Sequence, residues 1–324
     1  MYSLGNKAPL IRSPGVTSSR IVDRGCVAIV ANPYSGMRSN RRLVNELVAA
    51  LLRHKLKATV LWDPSERREL LADADLERTT RCVVVVGGDG TVADVINEKP
   101  RGLPLAVLPA GNENLFARAL SCPVECDALV AAIVAGRAEW IDFGRAGPRL
   151  FSLMVGVGFD ADVVHRVARW RRRQQSLRRV TRLSYLRPIL RAFRHQPWGQ
   201  VDIIADGVAV RGAHCLVFNL PKYGGGLCVA PNARADDGLL DWVVFERPGR
   251  AALVRYALAV WRRSAHLERR DVSHGRARHI RIGGSSPVPI QLDGDPAGFT
   301  PVEIDVIPEG LAVLMPQFHK RAVV

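Results

Sequence analysis

Apolar positions change their spacing along this chain near residue 142. Before that point, short all-apolar runs alternate with stretches whose apolar residues recur every three or four positions. Cys26 to Ala31, Ala58 to Trp62, Cys82 to Val86 and Leu105 to Pro109 are runs of the first kind. Their length and β-branched content predict buried parallel strands. Between them, Arg41 to Lys55 places Leu43, Leu47, Ala50 and Leu51 on one stripe, the spacing of an amphipathic helix. Glu66 to Asp75 can form a helix, and Val92, Val95 and Ile96 share a helical face after the third run. Further helices are expected from Leu115 to about Leu120 and from about Glu125 to Ala135. Such strand–helix alternation implies a doubly wound parallel sheet.

Beyond Ile141, strand-like runs follow one another directly. They are Phe151 to Val157, Gln200 to Ala205, Val208 to Arg211, Cys215 to Leu220, Leu239 to Phe245, His279 to Ile282, Val288 to Leu292 and Val302 to Ile307. Asp206-Gly207 between two of them is a hairpin signal. Helical texture interrupts the series near 161–195 and 250–267. The expected class is therefore α/β, a doubly wound parallel-sheet domain followed by a mostly antiparallel β-sandwich domain. The expected division is a flexible extension over 1–24, an α/β domain over 25–142 and a β-rich domain over 143–309. The tail 310–324 can pack back onto the first domain.

Composition narrows the class. The 324 residues suffice for two domains, and 48% hydrophobic content is that of a globular chain. No apolar run reaches the ~18 residues of a membrane span. Residues 1–20 lack the continuous apolar core of a signal peptide. The six cysteines are scattered without a C-x-x-C pair, as expected for thiols in a reducing cytoplasm.

Candidate chemistry sits in three turns at strand ends. Gly87-Gly88-Asp89-Gly90-Thr91 joins the third strand to its helix. Asn32 to Gly36 and Gly111 to Asn114 occupy the same place after the first and fourth strands. Glycines there let backbone approach a bulky anion, and the helix N-terminus attracts phosphate. An acid within such a loop repels phosphate unless a cation or a transferring proton shares the site, which singles out Asp89. The chain has no G-x-x-x-x-G-K-[ST] and no G-x-G-x-x-G.

These residues resemble the diacylglycerol kinase catalytic family, which includes bacterial lipid kinases, sphingosine kinases and ceramide kinases. The resemblance covers roughly 25 to 315. Asn32-Pro33-Tyr34-Ser35-Gly36 is similar to its N-P-x-S-G element, and Gly87 to Thr91 to its nucleotide signature. Leu108 to Arg118 is similar to L-P-x-G-T-x-N-D-F-A-R. Phe218-Asn219, Tyr223 to Gly226, Ala230-Pro231 and Asp236 to Asp241 resemble its second-domain core, and Asp293-Gly294-Asp295 stands where the family has D-G-E. Three positions depart from the pattern. Asn112 replaces a threonine, Leu115 an aspartate, and Asp295 the glutamate base. NAD kinases and 6-phosphofructokinases share the G-G-D-G turn, but their other elements, G-x-N-x-G-x-L-G-F and T-I-D-N-D, are absent here.

The resemblance implies ATP and Mg²⁺ as cofactors and a lipid hydroxyl as acceptor. Asp295 and Asp89 would be catalytic. Asn32, Ser35, Gly36, Gly87, Gly88, Gly90, Thr91, Asn112 and Glu113 would hold nucleotide. A metal would sit on Asp237 and the backbone carbonyls of Arg234 and Leu239. Two alternatives stay open, a non-catalytic nucleotide- or lipid-binding protein on the same scaffold and a kinase for a small soluble alcohol.

Charge distribution adds a membrane expectation. Net charge is +15, and His165 to His195 holds eleven arginines and no acid. Over 183–194, Leu183, Leu186, Ile189, Leu190 and Phe193 share an arc beside Arg187, Arg191 and Arg194, the pattern of an interfacial helix. Each arginine near an anionic leaflet contributes about 1 kcal/mol. Residues 250–267 have a similar texture, Leu253, Ala257, Val260 and Trp261 with Arg255, Arg262 and Arg263. Packing of the stripe on the second domain, with solvated arginines, is one competing reading; nucleic acid is another, but no motif for it accompanies the arginines. The expected setting is cytoplasmic and peripheral to an anionic membrane, with a homodimer allowed.

Overall fold

A computed structural model describes residues 25–33, 40–99, 102–174, 186–194, 199–262 and 265–315. The expected 1–24 extension, Ser35 and Gly36 of the first turn, Leu183, Arg263 and the tail beyond 315 lie outside them.

The first half runs β1 (Cys26–Ala31), α1 (Asn40–Arg53), β2 (Lys57–Leu61), α2 (Pro64–Ala72), α3 (Leu76–Thr79), β3 (Thr80–Gly87), α4 (Asp89–Glu98), β4 (Leu105–Pro109), α5 (Leu115–Ala119) and α6 (Cys126–Ala135). The strands pair in parallel in the order β2-β1-β3-β4. Alternate residues of β1 face opposite cores. Val27, Ile29 and Ala31 meet Leu47 of α1 and Ile133 of α6, whereas Ala28 and Val30 meet Leu71, Val95 and Phe116. Helices thus cover both faces, which is why these strands read as unbroken apolar runs. The doubly wound expectation holds. Helix α2 begins two residues earlier than its apolar spacing predicts, because Asp63 caps it through the Ser65 N–H at 2.7 Å and Pro64 presets its first turn.

The second half runs β5 (Ala138–Ala146), β6 (Arg149–Phe151), β7 (Met154–Val157), α7 (Phe159–Gln174), α8 (Leu186–Arg194), β8 (Val201–Ala205), β9 (Val208–Gly212), β10 (His214–Phe218), β11 (Leu240–Phe245), α9 (Arg250–Trp261), β12 (Val272–Ala277), β13 (His279–Gly283), β14 (Pro289–Leu292), β15 (Asp295–Phe299) and β16 (Val302–Leu314). Six strands form an antiparallel sheet ordered β12-β11-β10-β7-β14-β15. Val155, Val157, Val217 and Val244 of that sheet pack on Ile203, Ile280, Ile282 and Ile304 of the other, making the expected sandwich.

The sequence pattern misreads three features. The run Phe151 to Val157 is not one strand; it breaks at Ser152 and Leu153, whose N–H groups turn to the Asp293 carboxylate. The last strand does not stop at Ile307; β16 continues to Leu314, pairing antiparallel with β5 and meeting β4 in parallel at Val313 and Leu105. It joins both halves into one ten-stranded sheet. Strands β5, β12 and β15 carry too many polar residues or glycines to read as apolar runs. Position 142 falls inside β5.

Register fixes which residues share a face. Gln291, Gly156, Leu216 and Val243 are successive partners across β14, β7, β10 and β11. Their neighbours Val155, Val217 and Val244 look into the sandwich, so this row lies on the outer face of the six-stranded sheet. Helix α7 covers one end of that face, where Asp160 meets Gln291. Helix α9 covers the other end, where Tyr256 packs on Phe245 with ring centroids 4.8 Å apart.

Candidate active site

The parallel strand order reverses between β1 and β3, and ligands of open α/β sheets bind at such a point. Both strands end there in candidate turns. The Asn32 N–H donates to the Val86 carbonyl (3.3 Å), and the Ala110 N–H donates to the Gly87 carbonyl (2.9 Å). A side chain on Gly111 would come within 2.5 Å of the Gly88 Cα. The described parts of the three turns therefore touch one another. The Asn114 side chain closes the third, accepting from Gly111 N–H at 2.8 Å and donating to its carbonyl at 2.9 Å. Asn112 is exposed and Glu113 half-buried beside it.

Two glycines of the signature serve different purposes. Gly87 makes room for Thr91, whose Oγ1 would lie 2.7 Å from an added Cβ; Thr91 is buried there instead of facing outward. Among the described residues Gly90 has open space where a Cβ would be, and it has no positive φ, so neither their packing nor its backbone conformation accounts for it. The space it leaves suits a ligand that approaches backbone. The N-cap of α4 is Gly88, which has no side chain to offer its first turn, and N–H groups at such a helix start suit an anion.

Asp89 accepts a hydrogen bond from the Phe116 N–H at 3.0 Å, at the start of α5. Burial raises its pKa above the usual carboxylate range, the Phe116 and Leu115 N–H groups oppose that, and the Glu113 charge adds to the rise. A carboxylate that is desolvated and faces a second acid fits a hard divalent cation among phosphate oxygens.

Asp295 opens β15, directly after a hairpin turn in which Asp293 (φ 48°) and Gly294 (φ 89°) are both left-handed. The half-buried Asp293 carboxylate accepts from the N–H groups of Ser152 (2.7 Å), Leu153 (2.9 Å) and Met154 (2.9 Å) and from the Ser152 hydroxyl. That hairpin reaches the first half. Asp94 of α4 has its pKa raised by burial foremost, with Arg67 opposing and the Glu98 and Asp295 charges contributing. Asn97, one turn on, exchanges hydrogen bonds with the Leu150 backbone, donating to its carbonyl at 3.0 Å and accepting from its N–H at 2.9 Å. Arg149 beside it donates to the Pro296 carbonyl at 3.0 Å. The helix that begins at Asp89 is thereby tied to the strand next to the Asp295 hairpin.

A part-buried polar chain, absent from the sequence reading, supports the same hairpin. Gln291 accepts from the Gly294 N–H (2.8 Å) and donates to Asp160 (2.7 Å). Asp160 also accepts from the Tyr223 hydroxyl. Gly156 must be glycine because a Cβ there would collide with Asp160. Burial raises the Asp160 pKa, opposed by the Tyr223 and Gln291 hydrogen bonds.

The implied metal turn is held by Asp142, whose carboxylate accepts from the N–H groups of Gly238 (2.7 Å) and Glu309 (2.8 Å). Within it Asp237 accepts from the Leu239 N–H at 3.1 Å, and the Arg234 guanidinium pairs with Asp236 at 2.8 Å. One oxygen of Asp241 is buried without a partner among the described residues. Its pKa is pushed up to about 6 by burial and by the Asp237 charge. Among the described residues no group of three or more acidic, histidine or cysteine side chains that could hold a metal occurs, so a cation here would rest on Asp237 and backbone carbonyls. The turn borders a cavity of about 1320 Å³ lined by Ile141, Leu220, Ala230, Asp241 and Met315. It lies at the far end of α5 from Asp89.

The arginines of α8 are exposed. Pro188 and Ala192 face inward, and Ala192 packs on Val163 and Val167 of α7. Ile189 and Leu190 remain 39% and 48% exposed, so at these two residues the apolar stripe does not pack on the second domain. No helix among the described residues is long and apolar enough to cross a membrane.

Comparison with known proteins fits this geometry. Residues 26–146 match the family model for the diacylglycerol kinase catalytic domain. Residues 153–315 match that of the YegS C-terminal NAD kinase beta sandwich-like domain. A diacylglycerol kinase of Mycobacterium tuberculosis is 32% identical over 308 residues, covering 90% of this chain and 96% of its own. The crystal structure of a diacylglycerol kinase from Bacillus anthracis superposes with a TM-score of 0.64 at 18% identity, over 93% of this chain and 99% of that one. An Archaeoglobus fulgidus NAD kinase solved with ATP shares the fold at a TM-score of 0.50 and 14% identity, over 89% and 93% of the two chains.

Proposed function

The chain belongs to the diacylglycerol kinase catalytic family, and on that premise we propose that it transfers the γ-phosphate of ATP to a hydroxyl of a membrane lipid. The observation that carries the proposal is that α4 and the Asp295 hairpin are both tied to β6, Asn97 of α4 to the Leu150 backbone and Arg149 to the Pro296 carbonyl. The Asp295 charge is also felt at Asp94, five residues along the helix from Asp89, a rise of about 7.5 Å. A lipid hydroxyl held between them meets an acceptor for its proton on one side and the phosphate turns on the other.

In this reading Asn32, Gly87, Gly88, Gly90, Asn112 and Glu113 line the nucleotide side and Thr91 buttresses the second turn; Ser35 and Gly36, which the family resemblance adds to the nucleotide contacts, lie outside the described residues. Backbone N–H groups at the start of α4 hold phosphate oxygens. Asp89 would hold Mg²⁺, which neutralises phosphate charge when bound. Asp295 accepts the hydroxyl proton as the lipid oxygen bonds to the γ-phosphorus and ADP leaves. Aspartate is one methylene shorter than glutamate, and the left-handed Asp293-Gly294 turn before it is fixed through Asp293 and Gln291. The cation at Asp237, Arg234 and Leu239 would brace the loop held by Asp142.

The acceptor is reached at an anionic membrane surface, on which Arg187, Arg191 and Arg194 rest. The protein is peripheral to that membrane. The experiment is a labelled-ATP assay against separated lipids. Label should pass to a lipid with a free hydroxyl, and Asp295→Asn should lower turnover by about 10²–10⁴-fold. Binding of nucleotide and lipid without transfer would favour the non-catalytic alternative that the Asn112, Leu115 and Asp295 departures raise.

A further inference from the structure

Helix α9 presents a surface that the kinase reading does not use. Tyr256 anchors its inner side, donating to the Asp271 carbonyl and accepting from the Arg247 N–H, both at 3.1 Å. Val254, Leu258 and Trp261 fall on the opposite side, within about 60° of one another at 100° per residue. They are 46%, 50% and 73% exposed. Leu253 and Val260, which the sequence pattern put in the stripe, are half-buried, and Val260 packs against the core. Arg255 and Arg262 border the exposed stripe, Arg250 lies close to it, and no acid occurs from Arg250 to Arg262.

A second copy of this chain would bring like charges together along such a helix. An acidic planar surface would not. An outward apolar stripe with a tryptophan and flanking arginines matches the headgroup region of an anionic bilayer. The fold adds an independent argument. Helix α9 and the α7–α8 pair cover opposite ends of the same outer face of the six-stranded sheet, as the row Gln291, Gly156, Leu216 and Val243 requires. Ile189 and Leu190 of α8, beside Arg187 and Arg191, are exposed as well.

We propose that α9 is a second membrane-contacting helix, with Trp261, Leu258 and Val254 inserting among anionic lipid headgroups, so that the protein stands on a bilayer through both ends of one sheet face. The proposal deepens the lipid-kinase reading and rests on its membrane-borne acceptor. The two are separable because docking is measured without nucleotide or turnover.

The test is flotation with phosphatidylcholine vesicles, with and without phosphatidylglycerol. Wild-type protein should float only with the anionic vesicles. Arg255→Ser/Arg262→Ser should weaken that binding roughly 10- to 30-fold, and Leu258→Ser/Trp261→Ser at least tenfold. Transfer to a lipid dispersed in neutral detergent micelles should be unchanged in both variants. Brominated phosphatidylglycerol should quench wild-type fluorescence more than that of Trp261→Phe, a readout that survives if a double variant misfolds. Equal flotation of variants and wild type, equal quenching, or a loss of self-association in place of vesicle binding would overturn the proposal. If wild-type protein floats but phosphorylates no lipid, the kinase reading fails and the docking surface stands.

Discussion

Replacing Asn97 by alanine tests how the two carboxylates are held together. The substitution removes both hydrogen bonds between α4 and the Leu150 backbone, at 3.0 and 2.9 Å. Both are solvent-exposed, so each contributes about 0.5–1 kcal/mol, or about 1–2 kcal/mol for the pair. That lowers Tm by roughly 2–8 °C. The catalytic effect should be larger than the stability effect implies. Asp295 follows Arg149 and β6 through the Pro296 carbonyl, and a 1 Å displacement at a reacting centre costs about 10²-fold. We expect kcat to fall by about 10- to 100-fold in a labelled-ATP assay. KM for ATP should change little, because the described parts of the three phosphate turns are joined by the Asn32–Val86 and Ala110–Gly87 backbone bonds. An unchanged kcat with a lowered Tm would refute the reasoning, since Asp295 would then be positioned independently of α4.

Four further outcomes follow. Asp160→Asn should lower kcat about tenfold, comparably to one misplaced contact, and Tyr223→Phe in the same background should add little, as coupled members of one chain do; additive losses would separate the two groups. Asp293→Asn replaces an acceptor of four hydrogen bonds by a group that is half donor, and denaturant unfolding should show a loss of about 2–4 kcal/mol. Gly144→Ala drives a methyl into the Phe151 ring and should cost about 1–3 kcal/mol in the same measurement. Burial holds the His214 pKa down to about 4, so its contribution is full above about pH 6.5 and is lost as pH falls towards 4, about 3 kcal/mol in all. Asp241, raised to about 6, contributes in the opposite sense and loses stability as pH rises. The His214 slope should therefore stand out most clearly in an Asp241→Asn background, and a flat Tm between pH 4 and 6.5 there would contradict it.

What the sequence made legible is local. Gly87 to Thr91 could be read because strand, turn and helix are contiguous there, and an acid among glycines stands out without a partner. The same holds for Asp293-Gly294 as a hairpin. What stayed hidden depends on distant partners. Asn97 acts on Leu150, 53 residues away, and Gln291 on Asp160, 131 residues away; neither belongs to a periodic pattern. Asp293 could be placed in a turn, but not as the group that breaks the strand at Ser152. The α9 stripe was shifted by one face because Tyr256, polar at its tip, is the anchor and so turns Leu253 and Val260 inward. The long β16 escaped because Pro308 to Gly310 look like a terminus, whereas the chain continues through an irregularity between Ile307 and Leu311.

Single-turnover transfer of labelled phosphate from ATP to a micelle-dispersed lipid, compared across wild type, Asp89→Asn and Asp295→Asn, tests the central claim most directly. Phospholipid product should form with wild type and fall by at least about 10²-fold in each variant, with nucleotide binding retained by Asp295→Asn. Undiminished product from either variant, with the fold intact, would contradict transfer between these two carboxylates.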